Sequence, residues 1–162
     1  MIDRARLLPA ARLALLFIDT DRFKQWNDSY GHASGDALLR ELAGLLRTAV
    51  LNENDLVARN GGDEFCLVFA DTPKAGAIER AEVLRRRIAT AKFGTLLGTG
   101  APANVRISAS IGVAAYPLDA KAASDLLECA DAAMYHSKQT GRDGVSYADT
   151  NGTLTRFTFA SV

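Results

Sequence analysis

The amino-acid sequence predicts an α+β fold in which helices flank a mostly antiparallel central sheet. Three observations support this: an uninterrupted apolar run at residues 13–18, a helical spacing of leucines within residues 34–50, and a glycine pair between strand-like runs within residues 56–69. A helix, a strand and another helix follow, and no internal repeat or interdomain linker interrupts the chain. We therefore expect residues 1–162 to form a single domain.

The first half of the chain supplies a strand, a helix and a hairpin. Residues 13–18 are all apolar, which favours a central strand that is covered on both faces. Gly61 and Gly62 are expected to supply the positive φ angles of a two-residue hairpin turn between residues 56–58 and 65–69. The helix between them shows apolar residues at three- and four-residue intervals, as on one buried face. The residues on that face are Leu38, Leu39, Leu42, Leu45, Leu46 and Val50.

The second half alternates helices with strands. Residues 71–73 read Asp-Thr-Pro, which indicates a helix start with a capping residue and proline at the first helical position. Residues 94–104 are predicted as a loop, residues 105–113 as a strand, and residues 122–139 as the last helix. The core positions of the two helices are Ile78, Ala81, Leu84 and Ile88, then Leu126, Ala130, Ala133 and Met134.

The end of the chain is less regular. Residues 145–147 suit a short strand after Gly141, which ends the last helix. The tail at residues 149–162 carries a polar turn and then the alternating Phe157 and Phe159. An additional edge strand and a loose tail both remain open for this segment.

Composition limits the classes of partner. Lysine plus arginine and aspartate plus glutamate both number 19, so no whole-molecule field attracts nucleic acid or an anionic membrane. The apolar run at residues 13–18 is too short for a signal peptide, and nothing approaches the roughly 20 apolar residues of a membrane span. Cys66 and Cys129 lack metal-binding spacing and look like small buried apolar residues, which fits the cytoplasm.

Four acidic residues are candidates for chemistry. Asp63 and Glu64 lie beside the predicted turn. Because acidic residues are poor strand formers, their presence here favours a functional role, and the alternative is an ordinary hairpin whose acidic side chains are solvated. Asp19 and Asp21 end the first strand, on one side of it if the chain stays extended. Carboxylate oxygens suit Mg²⁺, so Asp19 and Asp63 together predict a metal site. For Asp21, metal binding and capping of the following turn both remain open.

A longer pattern surrounds these acids. Residues 61–65 read Gly-Gly-Asp-Glu-Phe, and residues 19–36 contain Asp-x-Asp-x-Phe-Lys, then Asn-Asp, then Gly-His and Gly-Asp. Residues 135–142 read Tyr-x-x-Lys-x-x-Gly-Arg. In order and spacing these segments resemble the signatures of the GGDEF domains, which are diguanylate cyclases, and the resemblance covers about residues 13–147. It implies the nucleotidyl-cyclase or palm-like GGDEF fold.

The resemblance implies a role for each acidic residue of the metal site. Asp19 and Asp63 would ligate two Mg²⁺ ions through their side chains and Thr20 through its carbonyl, with Mn²⁺ as an alternative ion. Asp63, supported by Glu64, would assist deprotonation of the attacking hydroxyl.

Five further residues would bind the substrate. The resemblance implies that Asn27 and Asp36 recognise guanine, whose ring N–H and amino group a carboxylate can accept together. Lys24, Lys138 and Arg142 would bind the phosphates. Considered alone, Asn27 could be a turn residue, Asp36 a helix N-cap, and Lys138 and Arg142 complements to a helix C-terminus.

The family reaction condenses two GTP molecules into cyclic di-GMP, a bacterial second messenger in signal transduction. The implied partners are therefore GTP, cyclic di-GMP and a second copy of the domain, facing the first in a transient homodimer. The alternative is a catalytically silent regulatory module that binds GTP or cyclic di-GMP. A related nucleotidyl cyclase acting on another nucleotide is a third reading, which Asn27 and Asp36 disfavour.

The sequence departs from the family pattern in three places. Asn60 directly precedes the glycine pair, where an aromatic residue is common, although Arg59 before it fits the pattern. Asn52 stands where many members carry the arginine of an Arg-x-x-Asp product-inhibition site, with Asp55 in the aspartate position. We therefore expect product inhibition through this site to be absent or weak. The usual opening segment with Leu-Thr-x-Leu and Asn-Arg is missing, so the chain resembles an N-terminally trimmed catalytic domain with residues 149–162 as a tail. We expect the isolated chain to turn over slowly.

Overall fold

The computed structural model describes residues 12–97 and 105–158, and within them six strands form one sheet. The strands are β1 (Leu13–Thr20), β2 (Leu56–Arg59), β3 (Glu64–Ala70), β4 (Ala109–Tyr116), β5 (Gly144–Ala148) and β6 (Leu154–Arg156). The helices are α1 (Phe23–Tyr30), α2 (His32–Arg47), α3 (Lys74–Thr90) and α4 (Ala123–Gln139), with a short 3₁₀ helix at Phe93–Leu97.

Strand β1 lies in the middle of the sheet. The strand order is β2-β3-β1-β4-β5-β6, and neighbours are antiparallel except for the parallel pair β4 and β5. Every residue of β1 is buried, as the apolar run predicts. Its side chains alternate between two cores: Leu16 and Ile18 pack with α2 and α3, whereas Leu15 and Phe17 pack with α4. The predicted α+β class is confirmed.

The three longer helices present the predicted apolar faces to these cores. On α2 only Leu45 and Val50 differ, since both are half-buried and Val50 lies beyond the end of the helix. Among the described residues, no helix is long and apolar enough to cross a lipid bilayer. The predicted core positions found buried are Leu38, Leu39, Leu42, Leu46, Ile78, Ala81, Leu84, Ile88, Leu126, Ala130, Ala133 and Met134.

The hairpin between β2 and β3 is wider than predicted. The strands stop at Arg59 and Glu64, and neither Gly61 nor Gly62 adopts a left-handed φ, so the two-residue turn is wrong. The Arg59 side chain stabilises the wider loop, because its Nε and Nη2 atoms donate to the carbonyl of Gly62 at 3.0 and 2.6 Å. A loop of this length does not require two left-handed residues.

None of the three helix caps that were considered from the sequence is observed: the cap predicted before α3, and the capping roles that were left as alternatives for Asp36 and Asp21. Asp36 lies inside α2 rather than at its N-cap, because the helix already begins at His32 after Gly31, whose φ is 82°. Pro73 occupies the cap position of α3 instead of the first helical position, and no side chain caps that helix. Asp21 does not cap α1, which is preceded by Arg22 in a left-handed conformation without a side-chain cap.

The other differences concern strand boundaries. The ladder of β4 starts at Ala109 instead of residue 105, because Ala109 pairs with Thr20 at the end of β1. The tail contributes β6, which pairs with β5 at the edge of the sheet, so a loose tail is wrong for these residues. Part of the predicted loop at residues 94–104 and Phe159 lie outside the described residues.

Candidate active site

The end of β1 is tied directly to the acidic hairpin. The backbone N–H and the hydroxyl of Thr20 both donate to the carbonyl of Asp63, at 3.2 and 3.1 Å. In the ladder between β1 and β3, Asp19 is the partner of Glu64. The fold therefore brings the carboxylates predicted as metal ligands to one place, although their positions are far apart along the chain.

Lys138 reaches the same place from the opposite helix. Its Nζ lies 2.7 Å from Oδ2 of Asp19, and the Asp19 side chain is largely buried. Because α4 packs across β1, a lysine near the C-terminal end of this helix can extend over the end of the strand. The predicted phosphate ligand and the predicted metal ligand thus occupy one cluster.

Burial and neighbouring charges shift the pKa values of the two carboxylates in this cluster. Burial raises the pKa of Asp19 to about 6; the Lys138 hydrogen bond opposes this shift, and the neighbouring Asp63 charge adds to it. Burial also raises the pKa of Asp63, with a further contribution from Glu64 against the opposing charges of Lys138 and Arg59. A divalent cation would stabilise both carboxylates in their ionised forms.

The donor set fits magnesium better than a metal that requires a closed protein cage. Among the described residues, no group of three or more His, Cys, Asp or Glu side chains is arranged to hold a metal ion. Magnesium commonly takes one or two carboxylates and completes its octahedron with water and substrate phosphates. Asp19 and Asp63 supply that number of carboxylates, and the nearby Lys138 can bind the phosphates.

Asp21 has a different role from Asp19. Its side chain is 3% exposed and accepts hydrogen bonds from the hydroxyls of Ser108 and Ser110, both at 2.7 Å. The backbone N–H of Asp143 donates to it at 3.0 Å. These bonds connect the end of β1 to the start of β4 and to the turn before β5, so Asp21 joins three segments of the fold.

The predicted guanine-binding residues lie on two consecutive helices. Oδ1 of Asn27 on α1 is buried without a hydrogen-bond partner, which is rare for a native polar atom. This atom faces Gly35 on α2, where an added Cβ would come within 1.8 Å of it. Asp36 is exposed and lines a cavity of about 480 Å³ together with Leu39 and Arg59. Asn27 therefore offers a free acceptor beside the residue that precedes Asp36.

The remaining predicted residues are spread around this centre. Lys24 is exposed on α1. Glu64 is half-buried at the start of β3, where its Oε2 accepts a hydrogen bond from Asn60 at 3.5 Å. Arg142 is exposed just beyond α4 and lines a second cavity of about 660 Å³ with Arg22. The structure thus joins Asp19, Thr20, Asp63 and Lys138 by direct interactions, and does not join Lys24 or Arg142 to them.

Two arginine contacts beside the candidate site were not predicted from the sequence. Arg59 fits the family pattern before the hairpin, but its hydrogen bonds to the hairpin loop were not predicted. Arg156 donates to the carbonyls of Thr140, Arg142 and Asp143, and no local pattern announces this contact because β6 reaches the turn across the sheet.

Known proteins resemble this chain over most of its length. The family model described as "Diguanylate cyclase, GGDEF domain" matches residues 2–144. The chain belongs to the GGDEF domain family. The bifunctional diguanylate cyclase/cyclic di-GMP phosphodiesterase MucR of Pseudomonas aeruginosa is 44% identical over 140 residues, which cover 86% of this chain and 19% of MucR. Diguanylate cyclase A of Treponema denticola is 39% identical over 139 residues, covering 86% of this chain and 36% of that enzyme.

Solved GGDEF domains have the same fold. The crystal structure of the GGDEF domain of Pseudomonas aeruginosa TpbB, also called YfiN, superposes with a TM-score of 0.80 at 38% identity. The match covers 91% of this chain and 88% of that domain. The chain therefore corresponds to most of a solved GGDEF domain but spans only about a fifth to about a third of the curated relatives named above.

Proposed function

We propose that this GGDEF domain is the catalytic part of a diguanylate cyclase, which condenses two GTP molecules into cyclic di-GMP and two pyrophosphates. The observation that carries the proposal is the cluster of Asp19, Asp63 and Lys138, where two carboxylates of raised pKa lie near the ammonium group of Lys138. A structural ion pair would need only one of these carboxylates. The cytoplasm, which contains GTP, is the proposed location.

In each half-reaction the 3′-oxygen of one GTP attacks the α-phosphorus of the other, and the bond to the β-phosphate breaks. Asp63, assisted by Glu64, would accept the proton from that hydroxyl. Magnesium, or manganese in its place, held by Asp19, Asp63 and the Thr20 carbonyl would lower the pKa of the hydroxyl and neutralise the developing charge. Lys138, Lys24 and Arg142 bind the triphosphate as it becomes pyrophosphate.

Guanine specificity is assigned to Asn27 and Asp36. The Asn27 amide carries both donors and an acceptor, and its Oδ1 has no hydrogen-bond partner within the protein, although Gly35 covers this atom. The Asp36 carboxylate can accept two guanine donors that adenine does not offer, and the cavity it lines leaves space for the base. Because one domain binds one GTP, the reaction needs a second copy facing the first about a two-fold axis.

We also propose that product inhibition through the Arg-x-x-Asp position is absent or weak. Asp55 is buried and accepts hydrogen bonds from the N–H groups of Leu51 and Ala70, at 3.1 and 2.9 Å, and from Arg80 at 3.0 Å. Burial alone would raise the pKa of Asp55, but these hydrogen bonds, led by that of Arg80, hold it below its usual value. The Asp55 carboxylate thus already has hydrogen-bond partners within the protein, and Asn52 offers no positive charge to bind a phosphate of the product.

The alternative is a binding module without catalysis. The name of MucR joins a cyclase with a phosphodiesterase, so a related GGDEF domain occurs in a protein that carries the opposite activity. In that case GTP or cyclic di-GMP bound by this chain would regulate a neighbouring part of a longer protein.

One assay separates these functions. The purified chain, at about 100 μM to favour pairing, is incubated with GTP and Mg²⁺, and nucleotides are separated by chromatography, with Asp63→Ala as the inactive control. We expect cyclic di-GMP from the wild type only. GTP binding without product favours the module, and equal consumption of ATP would contradict the guanine assignment. Initial rates with added cyclic di-GMP should show no noncompetitive component, whereas such a component would refute weak product inhibition.

A further inference from the structure

The turn that carries Arg142 has an uncommon backbone conformation. Gly141, Arg142 and Asp143 have φ values of 112°, 60° and 44°. Residues other than glycine adopt positive φ only rarely, and such conformations persist where surrounding contacts over-determine them.

Arg156 on β6 donates hydrogen bonds to this turn. Its Nη1 donates to the carbonyl of Thr140 at 2.9 Å, and its Nη2 donates to the carbonyls of Arg142 and Asp143 at 2.7 and 2.8 Å. A single guanidinium therefore binds three carbonyls of the turn. It also places a positive charge at the C-terminal end of α4, where the helix dipole favours one.

The absence of a side chain at Gly144 leaves space for this guanidinium. A Cβ at Gly144 would lie 2.4 Å from Cζ of Arg156, so any larger residue at position 144 would displace it. On the other side of the turn, Asp143 donates its N–H to Asp21 and its carboxylate accepts from Arg85 on α3. The turn is thus held between Arg156 and a second set of contacts.

We propose that Arg156 is a positioning residue that fixes Arg142 for binding the triphosphate of GTP. The inference rests on the proposed function, which assigns Arg142 to the phosphates. A long side chain loses rotational freedom when it binds, and a backbone fixed beforehand lowers that cost. Arg156 lies beyond residue 144, where the family match ends, so the family pattern assigns no role to it.

The test compares two ligands that differ only in the outer phosphates. Binding of GMP and of the α,β-methylene analogue of GTP, in which the bond broken in catalysis is replaced, is measured by titration calorimetry with Mg²⁺. We expect Arg156→Ala to weaken binding of the analogue by about 10-fold, the value of one charged hydrogen bond, and to leave GMP binding unchanged. Arg142→Ala should give the same loss, and the double variant should lose little more.

Matched variants complete the test. Gly144→Ala should give an intermediate loss, because it displaces the guanidinium without removing it, and Arg87→Ala, at an exposed position on α3, should change neither ligand. If Arg156→Ala does not fold, Arg156→Lys and Gly144→Ala supply the same comparison.

Two outcomes would count against the inference alone. In the first, the variants at Arg156 and Gly144 keep the wild-type preference for the analogue over GMP, whereas Arg142→Ala loses it. Equal weakening of both ligands with a lower unfolding temperature would mark Arg156 as merely structural. A wild type without preference for the analogue, and insensitive to Arg142→Ala, would overturn the proposed function and this inference together.

Discussion

The two ends of the candidate site are held in different ways. At the metal end, Asp19 and Asp63 lie at the ends of paired strands, and backbone ladders fix their positions. At the phosphate end, Arg142 lies in a turn whose shape depends on side chains from β6, α3 and the end of β1. Ladders between central strands resist single substitutions, whereas a turn held by individual guanidinium groups depends on each of them.

This difference predicts which substitutions lower activity and which lower the stability of the fold. Residues at the metal end are expected to be replaceable without loss of the fold, because the sheet does not depend on their charges. Residues that connect segments are expected to matter for stability first and for activity second.

The largest effect on activity is expected for Asp19→Asn. Removing a metal ligand should lower the rate of cyclic di-GMP formation by about 100-fold or more, since metal stabilisation of the transition state is worth several kcal/mol. The unfolding temperature at pH 7 should not fall, because the replaced carboxylate is buried and has a raised pKa. Chromatographic rates and thermal unfolding measure the two quantities. A variant with normal turnover would break the proposed metal end.

The matched change two positions further along the chain, Asp21→Ala, should lower stability more than activity. It removes three hydrogen bonds between segments and should lower the free energy of unfolding by about 3 kcal/mol. Denaturant titration measures this loss. A stability equal to that of the wild type would show that the segments do not depend on Asp21.

The guanine end is tested by Gly35→Ala. The new Cβ would come within 1.8 Å of Asn27 Oδ1 and push that amide aside, so KM for GTP should rise about 10-fold. Gly44→Ala on the same helix is the control, because a Cβ there meets nothing within 4 Å. It should leave KM unchanged and stabilise the helix by about 0.5–1 kcal/mol. Equal KM values for both variants would remove Asn27 from the site.

The smallest expected effect is a pH dependence of stability. The pKa of Asp19 is about 6 in the folded protein against 3.8 for the free residue, so the folded state holds this proton more tightly than the unfolded chain. The stability that this group contributes is therefore present below about pH 4 and lost as the pH rises through about 6. Denaturant titrations from pH 4 to 7 should show a decline that is smaller in Asp19→Asn. Identical curves would contradict the raised pKa.

The sequence predicted the parts of the molecule that leave a pattern in it. Burial of β1 on both faces requires an unbroken apolar run, and residues 13–18 show one. The resemblance to the family implied that Asp19, Asp63 and Lys138 share one site, and the structure brings them close together. The width of the hairpin was not predictable, since it depends on where the Arg59 side chain finds carbonyl acceptors.

Other features depended on contacts or backbone turns that a local sequence pattern does not reveal. Asp36 precedes an apolar helical run and resembles an N-cap, but the chain enters α2 earlier, at His32, because Gly31 turns the chain there with a φ of 82°. Arg156 gave no signal, since its partners become neighbours only when β6 pairs with β5.

The central position of β1 has a consequence for the order of events during synthesis. Asp19 leaves the ribosome before β3 and β4, the two strands with which its own strand pairs. Such long-range pairing is slow compared with helix formation, because loop closure precedes any gain from contacts. The growing domain therefore leaves one edge of β1 unpaired until β4 has emerged, and Lys138 can reach the carboxylates only after α4 follows. Nucleotide binding is expected as one of the last properties that this domain acquires.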